Sequence, residues 1–149
     1  MNIESHIKSF KIPEHKKALI NIIYSANYID EKINNVLKPF DISIQQFNVL
    51  RILKGQKGKP ANLSTIQERM VTKMSNTTRL VDKLIDKKLV NRKVCPENRR
   101  KVEISITKKG EDFLNKLNAS VESKELEMTN HLKTKNLEQI NKLLNQLRQ

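Results

Sequence analysis

Residues 62–110, NLSTIQERMVTKMSNTTRLVDKLIDKKLVNRKVCPENRRKVEISITKKG, change their periodicity once, and that change decides the fold. Residues 63–71 read as a short helix, with Asn62 or Ser64 as its cap. Residues 74–88 read as a second helix, in which Leu80, Val81 and Leu84 form an apolar stripe with Thr77 one turn before. A few residues around Thr72 and Lys73 separate the two, which is the sequence form of a helix-turn-helix. From Leu89 the period drops to two. Residues 89–94 and 102–107 alternate apolar and polar side chains, as strands do. Between them CPENRRK is a polar turn holding Pro96, Glu97 and Asn98, so the segment predicts a hairpin with a basic tip. Two strands alone are marginal, so the hairpin must lean on the helices.

The flanks are helical. Residues 44–54 form a helix with Ser43 and Gln46 at capping-box spacing and with Ile44, Phe47, Leu50 and Leu53 inward. Gly55 to Pro60 (GQKGKP) is a loop. Residues 13–37 read as a long helix from Pro13 to just before Pro39, with Leu19, Ile22, Ile23, Ala26, Ile29, Ile33 and Leu37 recurring at helical spacing. Residues 108–149 return to helix, with stripes at Phe113, Leu114, Leu117, Val121 and at Leu137, Ile140, Leu143, Leu144, Leu147. These stripes exceed what one small winged domain can cover, which argues for a partner.

The charge is concentrated. The chain has 149 residues and a formal net charge of +13. Residues 54–109 hold 16 basic and 5 acidic side chains, so nearly all the excess lies in the middle third. A focused field of that kind suits a polyanion, nucleic acid before an acidic membrane surface. No apolar run reaches the ~18 residues of a membrane span, and the N-terminus has no signal-peptide apolar region. The single cysteine, Cys95, excludes an intramolecular disulfide framework and fits a reducing cytosol. Scattered His6, His15 and His131 form no metal-ligand pattern, and no cofactor is expected.

The order helix, helix, helix-turn-helix, basic hairpin, long helices resembles the multiple-antibiotic-resistance regulator (MarR) family of winged helix-turn-helix transcription factors. Residues 75–84 (SNTTRLVDKL) are similar to the family's recognition helix, and residues 89–92 (LVNR) to the entry of its wing. Asn98-Arg99-Arg100, then Val102, Ile104, Ile106-Thr107 and Gly110, resemble the wing signature, with Asn98 where the family has Asp. Lys88 stands where the family often has Gly after the recognition helix, which implies a left-handed backbone there. The resemblance implies a mainly α fold with a small β-hairpin wing, flanked by N- and C-terminal dimerisation helices. It implies one domain over 1–149, with 40–109 binding DNA and 1–38 and 110–149 dimerising. The chain is then a cytoplasmic, homodimeric, sequence-specific DNA-binding regulator, a repressor on a pseudo-palindromic operator, released by a small aromatic or anionic effector.

Each element has a physical task on that reading. The recognition helix enters the major groove, with Ser75, Asn76, Thr78, Arg79 and Lys83 outward; Asn pairs with adenine and Arg with guanine. The blander reading is that Ser75 and Asn76 only cap the helix. Arg99, Arg100 and Lys101 at the wing tip suit a narrow minor groove, with Arg100 at the inserting position by resemblance. Lys54, Lys57, Lys59, Lys73, Arg92 and Lys93 are phosphate contacts. Tyr24, Tyr28, Phe47 and Arg51 are the candidate lining of an effector cleft, Arg51 meeting a carboxylate, against a reading as core. Cys95 reads as a small strand residue, with a redox role as the alternative.

Other functions fit less well. A non-specific architectural or RNA-binding protein could use the same basic face. RNA binders stack bases on aromatics, and residues 54–109 contain no Phe, Tyr or Trp. An enzyme needs a nucleophile–base pair, a carboxylate pair, a metal cluster or a phosphate-cradling Gly loop, and the sequence shows none.

Overall fold

The computed structural model describes residues 2–9, 11–72 and 76–149. Its order is α1 (Ile3–Ile7), α2 (Glu14–Leu37), a 3₁₀ turn (Lys38–Phe40), α3 (Ile44–Gly55), α4 (Leu63–Arg69), α5 (Thr77–Asp86), β1 (Val90–Cys95), β2 (Asn98–Ile106), α6 (Lys108–Thr129) and α7 (Thr134–Leu147). The molecule is mainly helical with one two-stranded wing, as the sequence predicts.

The caps explain the boundaries. Ser43 and Gln46 close a capping box on α3, each side chain bonded to the other's backbone N–H at 3.1 Å. Asn62 caps α4, accepting from the Thr65 N–H at 2.8 Å. α4 stops at Arg69, short of the predicted Val71, because Met70 turns to extended backbone. α5 begins at Thr77 rather than residue 74, with Asn76 extended as its cap. It ends at Asp86 because Lys88 adopts the left-handed conformation, φ 60°. α1 was not predicted; its five residues are too few to show a period, and Ile3 is the one side chain it buries.

The core gathers where α2 ends. Leu37, Val49, Leu50, Ile66, Val81, Leu84, Ile104 and Leu117 are fully buried, drawn from α2 through α6. Each such side chain stabilises by about 1.5–3 kcal/mol relative to exposure. The wing leans on this core through Val90 and Ile104. It also gains a third rung, because Ala61 and Ile104 exchange both backbone hydrogen bonds, at 2.8 and 2.7 Å.

The strand pairing differs from the prediction at the tip. Pairs run from Val90–Ile106 to Val94–Val102, and the next pair is Cys95–Asn98. The turn is therefore only Pro96-Glu97, and Arg99, Arg100 and Lys101 are an extra loop of β2 rather than part of the turn.

A tight joint fastens α6 to the end of α5. The Thr107 N–H donates to the Leu89 carbonyl (3.0 Å), and its hydroxyl donates to the Lys88 carbonyl (2.8 Å) while accepting the Gly110 N–H (3.0 Å). Lys109 Nζ reaches the Lys87 carbonyl at 3.2 Å.

Two apolar faces remain open. Of the long stripe on α2, only Ile33 and Leu37 are buried in the chain; Leu19, Ile23 and Ile29 are about half exposed. α7 buries no residue, and Ile140, Leu143 and Leu147 stand in solvent. α1 covers part of α2 through Lys17, which bridges Glu4 (2.6 Å) and Glu14 (2.8 Å). The Lys17 ammonium holds the Glu4 carboxyl below the usual carboxylate range, and Glu14 and Glu4 in turn raise Lys17.

Candidate nucleic-acid interface

α5 turns two faces in opposite directions. Val81 and Leu84 enter the core with Thr77, and Thr78, Arg79 and Lys83 point to solvent. Arg79 and Lys83 form no ion pair with a described residue, so their full charges face outward. Asn76 takes the capping role, one of the two expected of it. Its carbonyl oxygen accepts the Arg79 N–H at 3.1 Å and caps α5. The cap leaves the amide nitrogen exposed and fixes the first turn, on which Arg79 stands. Lys73 and Ser75, both expected at this face, lie outside the described residues.

The wing carries the second basic element. Arg99, Arg100 and Lys101 are all exposed on the extra loop of β2. Asn98 organises that loop, its side-chain oxygen accepting the Arg100 N–H at 3.1 Å. This needs only an acceptor, so Asn serves without a carboxylate's charge. The phosphate-contact expectation divides. Arg92 is engaged with Asp82 of α5 at 2.8 Å and ties the wing to the recognition helix. Lys54 pairs with Glu111 at 3.4 Å. Lys57, Lys59 and Lys93 remain exposed. The Arg92–Asp82 tie was not foreseen; it joins residues of two different elements, β1 and α5.

The four residues expected to line an effector cleft are distributed. Phe47 is in the core, 2% exposed, with the Arg51 guanidinium 5.5 Å above its ring. Tyr24 packs on His6, ring centroids 4.4 Å apart, and Tyr28 lies under Lys32. An open depression of about 680 Å³ is lined by other residues, among them Asn34, Lys38, Gln46, Lys83 and Lys87. Cys95 is half-buried in the hairpin opposite Asn98. Among the described residues no helix is long and apolar enough to cross a membrane, and no group of His, Cys, Asp or Glu is placed to hold a metal.

Known proteins share this arrangement. The sequence pattern of the MarR family matches residues 42–102. An HTH-type transcriptional regulator of Bacillus subtilis (strain 168), YhbI, is 35% identical over 81 residues, 54% of this chain; the match spans about half of that relative, 51%. The HTH-type transcriptional regulator TcaR of Staphylococcus aureus (strain Newman) is 27% identical over 136 residues, 89% of this chain and 88% of TcaR. Among solved structures, a MarR transcription factor from Planctomyces limnophilus superposes with TM-score 0.71 at 27% identity, over 91% of this chain and 98% of that one. An organohalide-sensing regulator with 2,4-dichlorophenol bound has the same fold, TM-score 0.83 at 17% identity, over 93% of this chain and 81% of that one. The helix-turn-helix on α4 and α5, the wing with its basic loop, and these matches converge: residues 42–102 carry the sequence pattern of the MarR family, and the chain around them is similar to HTH-type transcriptional regulators of that fold.

Proposed function

We propose that the protein is a cytoplasmic, sequence-specific DNA-binding repressor that works as a homodimer and lets go of its operator when a small molecule binds. The observation that carries DNA reading is the unpaired, outward Arg79 and Lys83 on α5, together with Arg99, Arg100 and Lys101 on the wing. On this reading α5 lies in the major groove and the wing loop follows the minor groove. Residues 40–109 are the DNA-binding part, and Lys73, Ser75, Asn76 and Thr78 complete its contact edge.

The dimer is supported by the open faces. Leu19, Ile23, Ile140, Leu143 and Leu147 expose more apolar surface than a monomer leaves bare at its two ends. Residues 1–38 and 110–149 then form the dimer part, and two-fold symmetry sets two recognition helices about one DNA turn apart. The effector reading is supported by the relative that holds 2,4-dichlorophenol. A ligand acts here only by binding one dimer geometry better than another. Function by binding rather than catalysis is supported by the match of residues 42–102 to a family of regulators.

The test is a titration of the full chain against its own upstream DNA and against scrambled duplex at several salt concentrations. The expected outcome is operator binding at least ~10³-fold tighter than scrambled, both weakening steeply with salt. Equal affinity for both duplexes overturns the sequence-specific reading.

A further inference from the structure

We propose that the groove between α4 and the wing is a second, sequence-independent track for the DNA backbone, which holds phosphates flanking the half-site. It rests on the DNA-binding reading above and extends it away from the outward face of α5. Two depressions of about 380 and 300 Å³ meet along this junction. Both border Asn62, Lys101 and Val102, so they lie side by side from the wing loop past α4. Its cations are Arg100 and Lys101 at the wing and Lys59 and Arg69 at the far end. All four are exposed, and none forms an ion pair with a described residue. That separates them from Arg92, Lys54 and Lys87, each engaged by a carboxylate elsewhere on the domain.

The single carboxylate along the groove, Glu103, stands opposite Lys93 across the strand pair. Four cations against one such acid leave a strong positive field in a concave surface, where field lines focus. The lining contains no aromatic ring, so it offers no stacking platform for bases. A sugar–phosphate backbone asks for none. The run from Asn62 to Arg69 is about 10 Å at ~1.5 Å per helical residue, the axial length of roughly three phosphates of one strand at ~3.4 Å each. Arg69, which the sequence reading left without a role, is the far anchor of this track.

The test compares the full-length wild-type chain with the Lys59→Ala, Arg69→Ala double variant on two duplexes, one trimmed to the operator and one extended by about one helical turn on each side. Both side chains are exposed, and far-UV circular dichroism checks that the helices persist. The expected result is that wild type prefers the long duplex, and that the variant loses this preference because its affinity falls far more on the long duplex than on the short one. The slope of log affinity against log salt on the long duplex falls by about 2 per bound chain. An unchanged slope and preference overturns the proposal, and so does an equal loss on both lengths, which would place these residues in the core contact. Arg79→Ala separates the two readings, since it removes sequence discrimination and leaves the flanking preference in place. If wild type shows no operator preference at all, a slope on random duplex that still falls by about 2 supports the groove while the repressor reading fails.

Discussion

Gly110→Ala tests the joint between α6 and the recognition helix. Gly110 sits in the first turn of α6, where alanine is ordinarily the better helix former by about 1 kcal/mol. Here a Cβ would lie 2.1 Å from the Leu89 carbonyl oxygen and 2.8 Å from Ile106 Cγ1. Carbon and oxygen in contact sit at about 3.3 Å or more, so the Leu89 carbonyl must retreat by roughly 1 Å. That carbonyl accepts the Thr107 N–H at 3.0 Å, and a retreat of that size breaks the bond, a loss of about 1 kcal/mol. Overpacking adds about 1–3 kcal/mol. Against the helix-propensity gain, the expected net destabilisation is about 2 kcal/mol, read as a midpoint lower by roughly 4–8 °C. Thermal and urea melts at fixed protein concentration check it, since a dimer's midpoint depends on concentration. A midpoint equal to or above that of wild type would refute the reasoning, because it would show that the strand–helix junction opens at no cost.

Four further outcomes follow from the same geometry. Arg79→Ala should lower operator affinity by roughly 10–100-fold while leaving binding to scrambled duplex nearly unchanged, measured by competition titration. Asn98→Ala, which removes the acceptor for the Arg100 N–H, should weaken operator binding about 5-fold, whereas Asn98→Asp keeps the acceptor and should weaken it less; equal effects would deny Asn98 its organising role. Asp82→Ala should leave the melting midpoint almost unmoved, since the pair with Arg92 is largely exposed, yet raise amide exchange across β1; unaltered exchange would mean the wing does not depend on this tie. Glu4 titrates below its unfolded value when folded, so the contribution of its bridge to Lys17 is complete above about pH 4.5 and is lost as pH falls through the lower folded value. Amides of Ile3–Ile7 should lose exchange protection in that acid window, and Glu4→Gln should abolish the pH dependence.

The helices and the wing were legible because their signals are local. Period 3.6 around Leu80, Val81 and Leu84, period 2 around Val102 and Ile104, and the Ser43–Gln46 pair all report on neighbours within one or two turns. The left-handed Lys88 came instead from the resemblance, since the family often has Gly at that place after the recognition helix. What escaped was set at a distance. The start of α5 at Thr77 depends on Asn76 capping the helix, which helix periodicity does not register. The extra loop of β2 depends on register against β1, and no pattern within NRRK alone says where pairing resumes. The apolar stripes along α2 and α7, by contrast, exceed what one small winged domain covers, and within the chain most of both is bare.

The basic third shows the same limit in electrostatic form. Counting charges treats every Lys and Arg between residues 54 and 109 as available to a polyanion. The fold withdraws Arg92 to Asp82, Lys54 to Glu111 and Lys87 to Asp41, where each serves the joints between elements. It leaves Arg79, Lys83, Lys59, Arg69 and the wing cations outward. The division is not arbitrary. The engaged cations sit where two elements meet, β1 with α5 and α3 with α6, and the outward ones stand on α5, along the wing loop and beside α4. A carboxylate that holds a joint also removes a cation from the polyanion's field, so the count of basic residues overstates the binding surface by the number of joints they help to hold. The salt slope of DNA binding should therefore follow the outward cations and not the formal charge.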